Sequence, residues 1–223
     1  MADTTRALTA ALIEWVMKNS PPPASRYPTL AAGTLTTPDR TAEVYRKIPG
    51  LQPVGVNPVL DYDFGASFIA NDMSGVITKQ PPAITQIIPT LVAQVNSDGN
   101  ETAGVRSVLH QAPLGTYLGW NVQASGFFKG QICGFTGGYM PFAVTRTERL
   151  AAADPRPSLE ERYGTSDGYM CVVRRAAEEL VQERFLLRQD ADRIVAAASA
   201  AHVLPSSADS SEDTRRVAAA LCR

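Results

Sequence analysis

The chain has 223 residues, 44% of them apolar, and a formal net charge of −1 at pH 7. That is enough apolar material for a real core, which excludes disorder throughout, and too little basic excess to neutralise the phosphates of a nucleic acid. Cys133, Cys171 and Cys222 are far apart, odd in number and without C-x-x-C spacing, which predicts free thiols, Cys133 and Cys171 in or near packed surfaces, in place of a zinc site or a disulfide framework. No stretch approaches membrane-spanning length, and the start lacks the basic-then-apolar order of a signal peptide, so a cytoplasmic, reduced setting without membrane association is expected.

From Thr4 to Asn19, Leu8, Leu12, Trp15, Val16 and Met17 recur at helical spacing before the hard stop of Pro21, Pro22 and Pro23. The mixed-sign polar face argues for a helix packed on a core, against a membrane-surface helix. Residues 21–60 carry eight prolines between Pro21 and Pro58, which deny the backbone helix and central-strand hydrogen bonds and predict a long ordered loop. A loop of that length makes most sense as a strap laid over another domain, where Tyr27, Leu30, Tyr45 and Leu51 find cover.

Short strands are expected over residues 61–125, clearest from Ile87 to Val95 and again from Gly104 to Leu109. The run Asn96-Ser-Asp-Gly-Asn-Glu between them fits a turn. It fails as a calcium loop, because Gly99 is misplaced and Ser107 stands where the bidentate Glu is needed.

The stretch Pro113–Tyr163 concentrates glycine and aromatic residues and passes from an irregular half into a helical one. Arg146–Arg149 suit a helix surface, Asp154-Pro155 breaks it, and Ser158 with Glu161 has capping-box spacing, which predicts two short helices around a Pro-bounded elbow. Tyr169–Leu187 and Asp190–Ala201 follow as two antiparallel helices, and the helical part as a whole runs over 143–204. Residues 206–223 read as a flexible tail with a frayed turn or two at Thr214–Leu221, which leaves residues 1–205 as one region. The expected fold class is α+β, an irregular proline-rich strap and short strands followed by a helical C-terminal part.

The blocks WVMKNSPPPASRYPTLAAGTL, IPGLQP, LVAQVNSDGNETAGVR, PLGTYLGWN and GGYMPFAVTRTERLAAADPRPSLEERY, in this order, resemble the C-terminal part of a bacterial alpha/beta-hydrolase domain-containing family of serine hydrolases. The likeness spans roughly Leu8 to Pro205. It implies ester hydrolysis by a serine nucleophile, with the triad N-terminal to the block that begins here at the Trp15 helix.

The residues themselves place no catalytic group. A nucleophile elbow needs G-x-S-x-G, and Ser67, Ser74 and Ser125 each lack a flanking glycine at that spacing. His110, at the end of an expected strand, and His202, at a helix end, are the only candidate bases, and two histidines fall short of a zinc shell. Glu160-Glu161 and Glu178-Glu179 point apart on helices and read as solvated faces; GFTGGY lacks the lysine of a phosphate loop. No cofactor or metal is expected. What remains is an aromatic surface, with Tyr117, Trp120, Tyr139 and Phe142 as candidate substrate-binding residues. Three functions follow: a split or truncated esterase-like hydrolase that pairs with its catalytic N-terminal part or self-associates; a non-catalytic binding module that uses the aromatic surface; and, third, a self-sufficient hydrolase with an unorthodox Ser–His pair that uses His110.

Overall fold

The computed structural model describes residues 2–72, 75–134 and 137–223. Helix α1, Ala2–Lys18, ends where Asn19 enters the left-handed region at φ 54° and the prolines begin. The proline-rich segment then departs from a plain loop. After β1, Leu35–Thr36, it forms α2, Pro38–Arg46, because Pro38 falls at the first helical position, where a missing N–H costs nothing.

Next come β2, Val59–Asp63, β3, Ala83–Ile88, and β4, Val92–Ala93. Pro89 splits the expected 87–95 strand into the last two. Where a strand was expected at 104–109, the chain turns into α3, Val108–Gln111. Strands β5, Gly115–Leu118, β6, Asn121–Val122, β7, Ile132–Gly134, and β8, Gly138–Pro141, complete the sheet content. All pairing among the described residues is antiparallel and two-stranded: β1 with β4, β2 with β3, β5 with β8, and β6 with β7. The chain is thus a mixed α+β fold of ribbons and helices.

The elbow forms from α4, Arg146–Ala151, and α5, Leu159–Tyr163, each opened by a complete capping box, Thr145 with Glu148 and Ser158 with Glu161. Arg149 grips Glu161 with two nitrogens at 2.8 and 3.1 Å, so Glu161 is a link between the two helices and not a solvated surface acid. Helices α6, Ser166–Gln182, and α7, Arg188–Ala200, pack as an antiparallel pair. Tyr163, Tyr169, Val173, Leu180, Phe185 and Leu204 lie at the centre of the main core. A satellite core of Tyr45, Ile48 and Leu51 lies under the β5–β8 hairpin, with Val95, Leu118, Trp120 and Met140 around it.

The chain end is not a flexible tail. It forms α8, Glu212–Leu221, which lies against α5 and α6 and buries Ala218. Gly164, at φ 70°, makes the close approach possible, since a Cβ there would run into the Thr214 carbonyl. A disulfide joins Cys171 on α6 to Cys222 at the end of α8, so the expectation of free thiols fails for these two. The cysteine ground for a reduced, cytoplasmic setting goes with it, because disulfides persist in oxidising surroundings. Cys133 is free and exposed, outside any packed surface. Among the described residues no helix is long and apolar enough to cross a membrane.

Helix α1 also departs from expectation. It buries its small face, Ala7 and Ala11, while Trp15, Val16 and Met17 are 49%, 74% and 76% exposed. Ion pairs hold it there: Arg6 donates to Asp190 at 2.6 and 3.0 Å, and Arg184 to Glu14 at 2.8 Å. In the strap Tyr45 and Leu51 find cover, and Tyr27 and Leu30 remain exposed.

Candidate functional site

The candidate site is the β5–β8 hairpin and what lies behind it. Side chains alternate across a ribbon, and the register pairs Tyr117 with Tyr139 on one face and Thr116 with Met140 on the other. On the outer face the Tyr117 and Tyr139 rings sit 5.4 Å apart, and the His110 ring lies 5.4 Å from Tyr117. The Tyr139 hydroxyl donates to the Leu114 carbonyl at 2.9 Å, which fixes an otherwise half-exposed ring. On the inner face Trp120 meets Tyr45 edge-on, with centroids 5.2 Å apart.

The four predicted aromatics therefore divide. Tyr117 and Tyr139 form one small surface, and Trp120 belongs to the opposite side of the hairpin. Phe142 is 4% exposed, built into the main core beneath the guanidinium of Arg162, 4.1 Å from its ring centre. Phe142 thus packs in the main core, apart from the surface formed by Tyr117 and Tyr139.

What holds the hairpin to the helical elbow is a buried polar network that sequence reasoning did not single out. Arg156 spends its whole guanidinium on protein partners: Asp154 at 2.7 and 3.0 Å, Thr116 Oγ1 at 2.8 Å, and the carbonyls of Met140 and Pro141 at 3.0 and 3.1 Å. Burial alone would raise the Asp154 carboxyl, but the Arg156 hydrogen bonds bring it below the ordinary carboxylate range. Asn100, from the predicted turn, donates to the Gly115 carbonyl at 3.0 Å and accepts from the Tyr117 N–H at 2.9 Å. Its neighbour Asp98 pairs with Arg162, and its backbone carbonyl accepts from Thr116. Gly99, at φ 77°, is needed because any side chain there would press on Thr116, Ile48 and Tyr45. The only advance signal was the density of Asn, Asp and Gly at 96–100 and the Asp-Pro-Arg tripeptide at 154–156, both of which also suit ordinary turns.

Beside Trp120 a cavity of about 280 Å³ opens between α2, the strap, β4 and the hairpin, lined among others by Thr41, Tyr45, Val54, Val92, Glu101 and Trp120. Burial, with Glu101 nearby, pushes the Tyr45 hydroxyl up to about 12, so it stays a proton donor at any ordinary pH. Thr41 is buried, and its hydroxyl has no partner among the described residues.

Among the described residues no catalytic constellation assembles around the histidines. His110 Nδ1 sits 3.0 Å from the Ser107 hydroxyl, three residues earlier at the start of α3, a local helix-end contact. Burial lowers the basicity of His110, opposed by the charge of Glu101. Ser67 and Ser125 are exposed in loops and form no hydrogen bond with a histidine among the described residues; Ser74 lies outside the described residues. His202 closes α7 in a left-handed conformation at φ 45°, with no serine or carboxylate hydrogen-bonded to it among the described residues.

No curated protein and no solved structure matches the chain. A family model described as "Alpha/beta hydrolase domain" matches residues 1–196, from α1 through most of α7, and takes in the strap, the hairpin, the Arg156 network and the cavity. With all but the last few elements inside that match, the chain belongs to the alpha/beta hydrolase domain family.

Proposed function

We propose that this chain is a non-catalytic part of an esterase-like hydrolase, which covers and completes a catalytic unit that supplies the serine nucleophile. Family membership supports the reaction class. The missing G-x-S-x-G, and the absence among the described residues of a hydrogen bond between Ser67 or Ser125 and a histidine, support a nucleophile carried elsewhere. The observation that carries the reading is the orientation of α1, whose large apolar residues face outward while alanines face in. The β2–β3 ribbon repeats the pattern, with Val59, Ile84 and Ile87 more than half exposed on a two-stranded unit that is marginal when alone. Contiguous exposed apolar surface marks an interface, and the catalytic unit or a second copy of this chain is its occupant.

Two measurements on the purified chain test this. It is expected to turn over simple nitrophenyl esters no faster than a protein blank, and to take no fluorophosphonate label. In light scattering it is expected to self-associate, with residues 21–60 cleaved by protease before the helices are. Labelling at Ser67, Ser74 or Ser125 that His110→Ala abolishes would replace the proposal with a self-sufficient hydrolase. A strictly monomeric chain with a protease-resistant strap would replace it with an independent domain.

A further inference from the structure

The cavity beside Trp120 owes nothing to a catalytic partner, since its walls all come from this chain: α2, the strap around Val54, β4 and the end of the hairpin. We propose that it binds a neutral, apolar molecule of one or two rings that carries a single hydroxyl or carbonyl group. This goes beyond the hydrolase reading and holds whichever way that reading falls.

Size sets the body of the ligand. A closed apolar cavity of roughly 150 Å³ holds benzene, and this one, at about 280 Å³, has room for a fused pair of rings or an alkyl chain of similar bulk. The valines and prolines of its wall, with the faces and edges of Tyr45 and Trp120, offer dispersion contacts to such a body.

The polar groups set its single functional group. Thr41 is 8% exposed, and its hydroxyl meets no partner among the described residues, although buried hydroxyls are almost always hydrogen-bonded. It lies on the cavity wall one helical turn before Tyr45, whose hydroxyl is held protonated. A ligand hydroxyl or carbonyl between these two groups satisfies the unpaired one.

Charge excludes the obvious competitor. No lysine, arginine or histidine lines the cavity, and its single charged wall residue is Glu101, exposed at the rim. A fatty or aromatic carboxylate would find no cation to pair with and would face a like charge.

The test uses the full chain labelled with nitrogen-15 and titrated with 2-naphthol and, separately, 2-naphthoate. The two indole N–H signals make an internal control, because Trp120 lines the cavity and Trp15 lies exposed on α1. Saturable movement of the Trp120 signal by 2-naphthol, with Trp15 still and 2-naphthoate without effect, is the expected result. Ala42→Phe, which fills the cavity from α2, is expected to abolish binding. Thr41→Val, which keeps shape and loses only the hydroxyl, is expected to weaken it about tenfold; it stands in if the larger residue disturbs the fold. Equal movement of both indoles, equal binding of the carboxylate, no binding of 2-naphthol, or an unchanged affinity in the correctly folded variants would each overturn the proposal.

Discussion

Helices α1 and α6 are both 17 residues long, and both carry apolar side chains at three- and four-residue spacing, yet they meet opposite fates. Helix α6 buries Tyr169, Met170, Val172, Val173 and Leu180 against α3, α7 and α8. Helix α1 turns its large residues to the outside and is held by two alanines and a set of arginine–carboxylate pairs. Periodicity establishes that a helix has an apolar stripe; it says nothing about which other element, in this chain or another, lies over it. The same division runs through the molecule. From α3 onward the main core is closed by its own elements, although Phe127 and Phe128 stay exposed, whereas α1, Tyr27 and Leu30 of the strap and the β2–β3 ribbon present apolar side chains that no described residue covers.

Within the closed part, Arg156 joins the β5–β8 hairpin to the helical elbow, and its loss is the largest change in unfolding free energy expected of a chain that still folds. Arg156→Leu would leave Asp154 charged and buried, with Thr116 and two carbonyls short of a donor. Breaking a buried pair in this way costs about 3–5 kcal/mol, to be measured by urea unfolding. The double variant with Asp154→Leu is expected to recover part of that loss, since the stranded charge goes too. An Arg156→Leu chain as stable as the parent would mean that the hairpin is held to the elbow by its apolar contacts alone.

A smaller effect sharpens the account of the helical part. The Glu161 carboxyl feels burial, which would raise it, but Arg149 and Ser158 bring it down from 4.5 to about 2. A carboxyl held lower in the folded than in the unfolded chain stabilises fully above the unfolded value and ceases to do so as pH falls through the folded one. The contribution is therefore present above about pH 4.5 and lost toward pH 2, on the order of 2 kcal/mol for a side chain that is 26% exposed and partly screened by solvent. Glu161→Gln is expected to flatten that acid limb of the stability profile and lower the plateau at neutral pH. An unchanged limb would assign the acid sensitivity to other groups.

How much of this was legible follows from the range of the interactions. The elbow was legible nearly to the residue, because a capping box spans four positions and Asp154-Pro155 stops a helix by local sterics. Helices α6 and α7 were legible from period alone. Helix α2 hid among prolines, since Pro38 at a helix start looks in sequence like Pro in a loop. The Cys171–Cys222 bridge spans 51 residues and depends on α8 folding back onto α5 and α6, which no local rule anticipates in a polar, serine-rich end. Of the aromatic site, the residues were visible and their division between two faces was not. Tyr117 and Trp120 are three positions apart, and the hairpin ends between them. The cavity draws on four segments between Pro38 and Trp120, so it exists only once they have met.

The smallest effect expected on stability tests the comparison of α1 with α6 most directly. Val16 is 74% exposed, so Val16→Asp is expected to shift the unfolding free energy by no more than about 0.5 kcal/mol. The contrasting change is Val173→Asp in α6, at 1% exposure, which would place a charge in the core and is expected to prevent folding. If α1's outer face is an interface, Val16→Asp has a second consequence that stability does not register. Sedimentation velocity should find the variant monomeric at concentrations where the parent associates, because a carboxylate in the middle of an apolar contact must be desolvated without a partner. A large loss of stability would instead mean that α1 rolls inward in solution and packs Trp15, Val16 and Met17 as α6 packs its own stripe. Unchanged stability together with unchanged association would leave α1 as plain surface and move the interface to the β2–β3 ribbon, where Ile87→Lys is the corresponding change.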